Sequence, residues 1–455
     1  MSLLIGSQVT AETLGWQLPI QKKLGEGGQG VAYLASGPGG DLVVKWYNAE
    51  QATDAQRQAI RQLVKDGPPT GLAGKRFVWP LDVVTAPQSR QFGYLMSVID
   101  TQRFAELGEV WARRKPAPGL AELCEISFQM ANSYRVLHLR GMCYRDISKG
   151  NLMFDSRTGE VLICDNDNVG INRHSTCQVW GTMEYMAPEL ICGEASSALG
   201  ESGLHSASPS TETDLHSLAV LLFQLWVWHH PLHGELEYRC RCWDLPAKRK
   251  VYGETPVFVF DPQDRRNPLP NDPDYTTAAR RWALCPPSLQ ALFTKAFTTG
   301  LKEPASRVTE GEWQTLFRQL KDGVLNCGGC QAVNLWDATT SSLECWHCHQ
   351  PIGLPPKLVM SRHGRTHTLL LSRTAKLRQR HVDPFATDDV AETILGEVSQ
   401  HPTNPSIWGL RNLSSTPWVA TSSDGSAKEV PPQKATSLEA GLKLNVAGVV
   451  AEIQK

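Results

Sequence analysis

The stretch that decides the fold runs from Tyr144 to Asp165 and reads YRDISKGNLMFDSRTGEVLICD. Asp146 precedes Asn151 by five residues, and a short apolar run then ends at Asp165. This spacing predicts a hairpin whose adjacent loops carry a carboxylate base and two oxygen ligands for magnesium. Phosphoryl transfer needs these groups, because a carboxylate orients the attacking hydroxyl and hard oxygens hold the metal that bridges the phosphates. The stretch therefore indicates phosphoryl-transfer chemistry.

A glycine-rich segment lies upstream and reads LGEGGQGVAY over residues 24–33. Glycines let a backbone turn approach phosphates without a Cβ in the way. Lys45 follows an apolar run suited to a strand, whereas the dinucleotide fingerprint leads from its glycines into a helix. A surface lysine at a strand end is the alternative interpretation of Lys45. The predicted nucleotide-binding residues in this region are Gly25, Glu26, Gly27, Gly28, Gln29, Gly30, Ala32 and Lys45.

Three more motifs follow downstream: GTMEYMAPE at residues 181–189, an apolar helix opened by Asp214, and ASRVT around Arg307. With the two upstream segments, they resemble the eukaryotic-like serine/threonine protein kinases over roughly residues 15–320. The resemblance implies that Asp146, Lys45 and Lys149 are catalytic and that ATP is the phosphate donor. It also implies that Asp214 anchors the catalytic loop and that a buried pair forms between Glu189 and Arg307.

The resemblance implies an α+β, bilobal protein kinase fold over residues 1–322. Residues 1–100 should form a small lobe with a twisted antiparallel sheet and one helix, and residues 101–322 a helical large lobe. The last small-lobe strand runs into the hinge, where Met96 would be the gatekeeper. Backbone groups near Ser97 and Val98 would bind adenine. Asn151 and Asp165 would hold Mg²⁺ or Mn²⁺.

A narrower resemblance rests on CDNDNVG at residues 164–170, YRDIS at 144–148 and TDLHSLAV at 213–220. These segments are similar to those of bacterial kinases from tellurite-resistance-type phosphorylation triads, which carry a zinc ribbon after the catalytic domain. This resemblance implies two partners: a cognate metal-dependent serine/threonine phosphatase and a von Willebrand A-domain protein, the latter a candidate protein substrate.

The sequence departs from the kinase pattern at several positions. Tyr144 replaces the catalytic-loop histidine, and we expect it to pack inside the large lobe. Lys149 is shifted by one residue, so it either reaches the γ-phosphate or is solvated. Asp165 is followed by Asn166 and Asp167 rather than Phe-Gly; strand phasing favours Asp165 as the metal ligand, with Asp167 as the alternative.

The largest departure is the missing glutamate partner of Lys45. Glu50, which lies too close to Lys45, is the only glutamate between Lys45 and Tyr94. The predicted helix, roughly residues 54–65, offers Gln58 and Gln62 on one face. An uncharged partner would suit the alternative function, a nucleotide-binding pseudokinase scaffold that docks partner proteins.

Hydroxyl groups of the activation segment are candidate autophosphorylation sites, namely Ser175, Thr176 and Thr182. Thr182 is better explained as a structural residue that faces the catalytic aspartate. Residues 193–213 are rich in Ser, Gly and Ala and are predicted to form a mobile loop beside the substrate-binding region.

Four cysteines form two CxxC knuckles separated by fourteen residues. Each knuckle supplies two thiolates at close range, and four thiolates close a tetrahedron around Zn²⁺ with no open position for catalysis. Four unrelated buried thiols are the alternative. We therefore predict a structural zinc ribbon over residues 323–352, with the ligands Cys327, Cys330, Cys345 and Cys348.

The C-terminal region is predicted to begin with a linker at residues 353–366. Residues 367–455 alternate short β-like runs with turns, which indicates an all-β module. IWGLRNLS at residues 407–414 resembles part of a forkhead-associated (FHA-like) β-sandwich. That resemblance implies phosphothreonine binding by a serine and an arginine on loops, for which Ser372 and Arg373 are the candidates. A plain protein-interaction surface is the alternative.

The composition excludes other classes. The chain has 455 residues, a net charge of −1 and a pI of about 6.9, which argues against binding to nucleic acid or a charged membrane. The N-terminus turns polar too soon for a signal peptide. The longest apolar run, residues 218–228, is shorter than the ~20 residues that span a bilayer. We therefore expect a cytoplasmic protein with reduced thiols.

Overall fold

The computed structural model describes residues 2–87, 89–173, 181–198, 208–362 and 364–455. The chain divides into two compact units. The first consists of residues 1–118, 126–285 and 290–314, and the second of residues 119–125, 286–289 and 315–455.

The N-terminal part of the first unit is an antiparallel barrel. Its strands are β1 (Gln8–Ala11), β2 (Gln17–Glu26), β3 (Gly30–Gly37), β4 (Gly40–Tyr47), β5 (Asp82–Thr85) and β6 (Phe92–Ser97). The order β1-β2-β3-β4-β6-β5 closes because β1 also pairs with β5, so the expected twisted antiparallel sheet forms a closed barrel. Alternating apolar residues such as Leu18, Tyr33 and Val44 fill its interior.

Two helices follow β4, one more than the sequence predicted: α1 (Asp54–Asp66) and α2 (Gly71–Gly74). Thr53 caps α1 by accepting a hydrogen bond from the backbone N–H of Gln56 at 3.1 Å. Gly67 ends α1 with a positive φ of 67°, which a residue with a Cβ adopts only with strain.

The rest of the first unit is mainly helical. Its short strands are β7 (Ala105–Glu106), β8 (Met142–Cys143), β9 (Leu152–Phe154), β10 (Val161–Ile163) and β11 (Gly170–Ile171). The helices in this part of the chain, some of which contribute residues to both units, are α3 (Leu107–Trp111), α4 (Leu120–Leu139), α5 (Pro188–Ala198), α6 (Thr211–Val227), α7 (Glu235–Tyr238), α8 (Leu245–Arg249), α9 (Thr276–Leu284), α10 (Pro287–Phe297), α11 (Thr299–Lys302) and α12 (Glu310–Asp322).

The apolar run that the sequence assigned to a buried helix lies in α6. Ser210 caps α6, and the side chains of α6 are buried along nearly its whole length. Phe223 contacts the rings of Phe258, Phe293 and Phe297, with centroids 5.2–5.7 Å apart. Within the described ranges, no helix has both the length and the apolar character needed to cross a bilayer.

The second unit is mostly β-structure. Its strands are β12 (Val324–Asn326), β13 (Val333–Leu335), β14 (Leu343–Glu344), β15 (Pro351–Ile352), β16 (Lys357–Arg362), β17 (Arg365–Leu370), β18 (Lys376–Arg378), β19 (Ile394–Gln400), β20 (Trp408–Asn412), β21 (Trp418–Thr421), β22 (Ala427–Val430), β23 (Ala435–Ser437), β24 (Lys443–Val446) and β25 (Val449–Gln454). Two one-turn helices are also present, α13 (Gln379–Val382) and α14 (Asp388–Ala391).

A six-stranded sheet (β17-β16-β25-β24-β21-β22) and a four-stranded sheet (β18-β19-β20-β23) enclose one apolar core. The expected all-β module is therefore present, but the predicted linker at residues 353–366 is wrong. That segment contains β16, which pairs with both β17 and β25. Leu358 and Met360 point into the core at the two-residue period of a strand. Because β16 has only six residues, its alternation of apolar and polar residues is too brief to distinguish a strand from a linker in the sequence.

Candidate active site

The predicted hairpin forms and brings the two predicted magnesium ligands, Asn151 and Asp165, together. β9 pairs with β10 in a register that sets Leu152 opposite Ile163. The backbone N–H of Cys164 then donates to the carbonyl of Asn151 at 2.9 Å. Asn151 and Asp165 consequently flank one end of the hairpin, as the spacing in the sequence required.

Asp146 is held from two sides. The Asn151 amide donates to its carbonyl and to its Oδ2, both at 2.9 Å. Thr182 donates its backbone N–H at 2.9 Å and its hydroxyl at 2.8 Å to Oδ1. Burial raises the pKa of Asp146 above its ordinary value, and the bonds from Thr182 and Asn151 only partly oppose this shift. Thr182 thus faces Asp146, the predicted catalytic aspartate, whereas Ser175 and Thr176 lie outside the described residues.

A buried carboxylate fixes the backbone of the catalytic loop. Asp214 accepts hydrogen bonds from the N–H groups of Tyr144 at 2.5 Å and of Arg145 at 2.9 Å. Arg145 has a positive φ of 76°, so these bonds stabilise a conformation that non-glycine residues rarely adopt. Tyr144 is fully buried against Tyr134, and its hydroxyl donates to the carbonyl of Cys164. The aromatic replacement therefore packs inside the lobe, as expected.

The donor set at Asn151 and Asp165 fits a magnesium ion. The amide nitrogen of Asn151 is directed to Asp146, which leaves its Oδ1 without a hydrogen bond among the described residues. The side chain of Asp165 is 39% exposed, and Lys45 lies 3.3 Å from its Oδ2. Burial raises the pKa of Asp165, Lys45 lowers it and Asp167 raises it again. Hard oxygens at this position suit Mg²⁺.

Lys45 lies on β4 and reaches the start of the activation segment. Its Nζ lies 3.1 Å from both carboxylate oxygens of Asp167 and 2.9 Å from the Oε1 of Gln29. Burial alone would lower the pKa of Lys45, but the charges of Asp167 and Asp165 outweigh this effect and raise it. Asp167 is fully buried and bonded, so Asp165 is the better placed of the two candidate metal ligands.

The glutamines proposed to replace the missing glutamate do not contact Lys45. Gln62 donates to Asp66 on its own helix at 2.8 Å, and Gln58 is exposed. The residue of α1 that faces the site is Gln56, whose amide lies 3.1 Å from the hydroxyl of Tyr47 and 3.4 Å from the carbonyl of Asp167. The i,i+4 pattern identified the wrong helix face, because the site uses Gln56, which lies two residues before Gln58 in α1.

The glycine-rich segment contains two kinds of glycine. A Cβ on Gly25, Gly27 or Gly28 would meet open space, which leaves room for phosphates at the backbone. A Cβ on Gly30 would lie 2.2 Å from the carbonyl oxygen of Trp46 on β4. Gly30 is therefore required by strand packing, while the others leave a backbone surface free of side chains.

The remaining predicted site residues have mixed surroundings. Met96 and Ser97 end β6, where Met96 is half-buried and Ser97 and Val98 are exposed, as expected at a hinge. The Nζ of Lys149 lies 5.4 Å above the ring of Trp111, a cation–π contact that the sequence did not suggest.

Arg307 forms the expected pair with Glu189, at 2.8 and 2.7 Å, and also donates to the carbonyls of Glu212 and Gly300.

The four cysteines of the second unit meet in one cluster. Their sulfur atoms all lie within 4.8 Å of one another, and two of the pairs, Cys327–Cys348 and Cys330–Cys345, lie at 3.6 Å. Four thiolates at Zn–S distances of about 2.3 Å would have sulfur–sulfur distances of about 3.8 Å. Burial raises the pKa of Cys345, but backbone N–H groups and the Asn334 amide outweigh it and lower the pKa to about 6. The cluster therefore fits a zinc ion.

The barrel, the helical part and the hairpin site together define a bilobal protein kinase fold. The chain belongs to the protein kinase domain family, whose model matches residues 18–257. The sequence is 25% identical over 236 residues to an L-type lectin-domain containing receptor kinase I.4 of Arabidopsis thaliana, covering 48% of this chain and 32% of that protein.

Two further relatives match shorter segments. The cell cycle serine/threonine-protein kinase CDC5/MSD2 of Saccharomyces cerevisiae is 26% identical over 144 residues, covering 29% of this chain and 18% of its own. Protein kinase C delta type of Rattus norvegicus is 32% identical over 127 residues, covering 26% of this chain and 16% of that protein. The chain thus spans about a third or less of the length of these curated relatives.

A solved structure of the PknI kinase domain of Mycobacterium tuberculosis, a double mutant, covers 70% of this chain and 98% of its own. It matches with a TM-score of 0.43 and 18% sequence identity.

Proposed function

We propose that this protein is an ATP- and magnesium-dependent serine/threonine protein kinase. The observation that carries the proposal is the contact set around Asp146, in which Asn151 and Thr182 orient the carboxylate. The Oδ1 of Asn151 accepts no hydrogen bond from any residue that the structure describes. A dead site has no need of this arrangement. The preference for serine and threonine is inferred from the similarity to two serine/threonine-protein kinases, the one from yeast and one from Dictyostelium discoideum.

The chemistry assigns one role to each residue. The substrate hydroxyl oxygen forms a bond to the γ-phosphorus of ATP, the bond from that phosphorus to the β–γ bridging oxygen breaks, and ADP leaves with the electron pair. Asp146 orients the hydroxyl and accepts its proton, and its raised pKa makes it a better proton acceptor. Lys45 binds the α/β-phosphates. Catalysis would come mainly from positioning and charge stabilisation.

Asn151 and Asp165 would hold the magnesium ion, which neutralises the phosphate charge when it is bound. The loop from Gly25 to Gly30 would cover the phosphates, and backbone groups near Ser97 and Val98 would bind adenine. Lys149, whose Nζ contacts the ring of Trp111, is the candidate for a contact with the γ-phosphate.

The test is transfer of radiolabelled γ-phosphate from ATP with Mg²⁺ or Mn²⁺ to a generic basic protein and to a von Willebrand A-domain protein. Asp146→Asn should abolish the label, whereas the matched control Asp41→Asn, at the exposed start of β4, should retain it. Equal labelling by the wild type and Asp146→Asn would refute the assignment of the base. Metal-dependent ATP binding without label would favour the pseudokinase scaffold.

We further propose that the kinase acts in a cytoplasmic signalling system with a von Willebrand A-domain protein and a metal-dependent serine/threonine phosphatase. The support is the resemblance of residues 144–148, 164–170 and 213–220 to kinases of such systems, together with the cysteine cluster that fits structural zinc. Co-purification of the three proteins, and removal of the label by the phosphatase, would test it.

A second candidate function concerns the β-rich module, for which we propose an FHA-like, phosphothreonine-binding role. The support is a cavity of about 480 Å³ whose lining includes Ser372, Arg373 and Lys376. Neither Arg373 nor Lys376 has an acidic partner in the part of the chain that the structure describes. A phosphothreonine is a dianion that an arginine and a serine hydroxyl can bind together.

The measurement is titration of the full chain with a phosphothreonine peptide and its unphosphorylated form. Arg373→Gln should abolish any preference for the phosphorylated peptide, while Lys428→Gln, on an exposed strand of the same module, should preserve it. Equal binding of both peptides would favour a plain protein-interaction surface.

A further inference from the structure

The side chain of Asp167 is the most completely bonded carboxylate group at the site, and the phosphoryl-transfer scheme above gives it no role. It is fully buried. Lys45 donates to both oxygens at 3.1 Å, Tyr47 donates to Oδ2 at 2.5 Å and Tyr94 donates to Oδ1 at 3.2 Å. These donors occupy both oxygens, which makes Asp167 a poor metal ligand.

The register of the barrel builds this donor set. Lys45 and Tyr47 lie two residues apart on β4 and so point to the same face, and Tyr94 on β6 pairs directly with Lys45. Three donors on two adjacent strands therefore converge on one carboxylate. Because Asp167 lies in a one-turn helix at residues 166–168, directly after Asp165, this carboxylate is fixed relative to the metal-binding residue.

Helix α1 contributes no negative charge to Lys45. Its acidic residues are Asp54, which is exposed in the first turn, and Asp66, which accepts a bond from Gln62. Gln56 is the part of α1 that reaches the site, through the Tyr47 hydroxyl and the Asp167 carbonyl. Among the described residues, the carboxylates that contact Lys45 are Asp165 and Asp167.

A buried ammonium group needs a fixed counter-charge, because an unpaired one would lose its proton or leave the site. Asp165 is half-exposed and, under the proposed function, its oxygens are needed for magnesium. We propose that Asp167 is the positioning residue of Lys45: it supplies the counter-charge that holds the lysine toward the ATP phosphates. The lysine is thereby positioned from the start of the activation segment and not from a helix glutamate.

This inference rests on the proposed function for the ligand of Lys45, namely the phosphates of ATP. It predicts that the charges of Lys45 and Asp167 affect ATP affinity jointly, so that removing one makes removal of the other nearly silent. A purely structural aspartate would not show this dependence. The test is a double-mutant cycle on the full chain with Lys45→Met, Asp167→Asn and both together. ATP affinity is measured by calorimetry with Mg²⁺, and kcat and KM are measured by phosphate transfer.

Asp167→Asn should weaken ATP binding by about tenfold or more, the effect of losing one charge-assisted contact. In the Lys45→Met background the same change should alter ATP affinity less than about threefold. Asp54→Asn in α1 is the matched control and should leave affinity and turnover unchanged. Independent, multiplicative losses from Lys45→Met and Asp167→Asn would overturn the proposal, as would equal or higher activity of Asp167→Asn.

A second variant covers the case in which Asp167→Asn fails to fold. Tyr47→Phe removes the shortest bond to Asp167 but leaves both charges in place, and it should weaken ATP binding by about threefold to tenfold. An unchanged ATP affinity would contradict the positioning role. If the double-mutant cycle shows coupled effects of Lys45→Met and Asp167→Asn on ATP affinity while the wild type transfers no phosphate, the proposed kinase activity fails and the inference about Asp167 stands.

Discussion

Arg307 and Glu189 form a two-point ion pair, with Nη1–Oε1 and Nη2–Oε2 distances of 2.8 and 2.7 Å. The arginine side chain is 2% exposed and the glutamate 28%. Arg307 also donates to the carbonyl of Glu212 at 2.8 Å. The pair thus connects the start of α5, the first turn of α6 and the segment before α12, which are far apart in the sequence.

Breaking this pair should destabilise the first unit. Glu189→Gln leaves the buried Arg307 charge without its counter-charge, and we expect a loss of about 3 kcal/mol in the free energy of unfolding. Urea unfolding followed by tryptophan fluorescence measures the loss. The exposed Glu303→Gln is the matched control and should cost less than about 0.5 kcal/mol. A comparable midpoint for both variants would contradict the structural role.

The stability of the first unit should fall at alkaline pH through His138. This side chain is 8% exposed and lies between Asp214, at 3.0 Å, and Glu310. Burial lowers its pKa, but bonds to the two carboxylates outweigh this and raise it from 6.5 to about 9. A raised folded-state pKa means that the stabilisation is complete below pH 6.5 and is lost as the pH rises through about 9.

The expected loss across that window is about 3 kcal/mol, since each unit of pKa shift corresponds to about 1.4 kcal/mol. Urea midpoints between pH 6 and 10 measure it. His138→Gln should show a flatter profile over the same range. A wild-type profile that stays level to pH 10 would exclude the charged histidine.

Two glycines of the nucleotide loop should respond differently to alanine. Gly30→Ala places a Cβ 2.2 Å from the carbonyl of Trp46, so β3 and β4 must separate and the thermal midpoint should fall by several degrees. Gly28→Ala meets open space and should keep the midpoint while weakening ATP binding. Differential scanning fluorimetry and ATP titration separate the two effects. Similar midpoints for both variants would show that β3 and β4 tolerate the extra atom.

Zinc should be bound with a stoichiometry of one ion per chain. Cys345→Ser removes the thiol whose pKa is lowered to about 6, and metal content by mass spectrometry should fall to background. The exposed Cys242→Ser should leave the metal content unchanged. Chelation of the wild type should also destabilise the second unit, measured by proteolysis. Zinc retained by the Cys345→Ser variant would show that this thiol is not a ligand.

Short-range spacing predicted much of the site. Asn151 and Asp165 flank one hairpin, whose strand register fixes their positions. Asp146 lies five residues before Asn151, although its orientation also depends on Thr182. The two CxxC knuckles likewise determine their own geometry. The pairing of Glu189 with Arg307 was also predicted, although it required the resemblance to a known family because 118 residues separate the two.

The partner of Lys45 was not predicted. Helix periodicity pointed to Gln58 and Gln62, because a sequence pattern can only rank the faces of one helix. Which face approaches the lysine depends on how α1 packs on the barrel, and that packing turns Gln56 toward Tyr47. The strand β16 was missed for a related reason, since its inward residues have meaning only beside β25.

The sequence by itself determined the chemistry of the site: which carboxylates, amides and thiols are present, and at what local spacing. Only the tertiary structure decided which charge faces Lys45, because Asp167 lies 122 residues further along the chain. Contacts over that distance arise from the packing of the barrel on the helical part. A buried ammonium group accepts whichever carboxylates that packing supplies, and in this protein they are Asp167, which is fully buried, and Asp165.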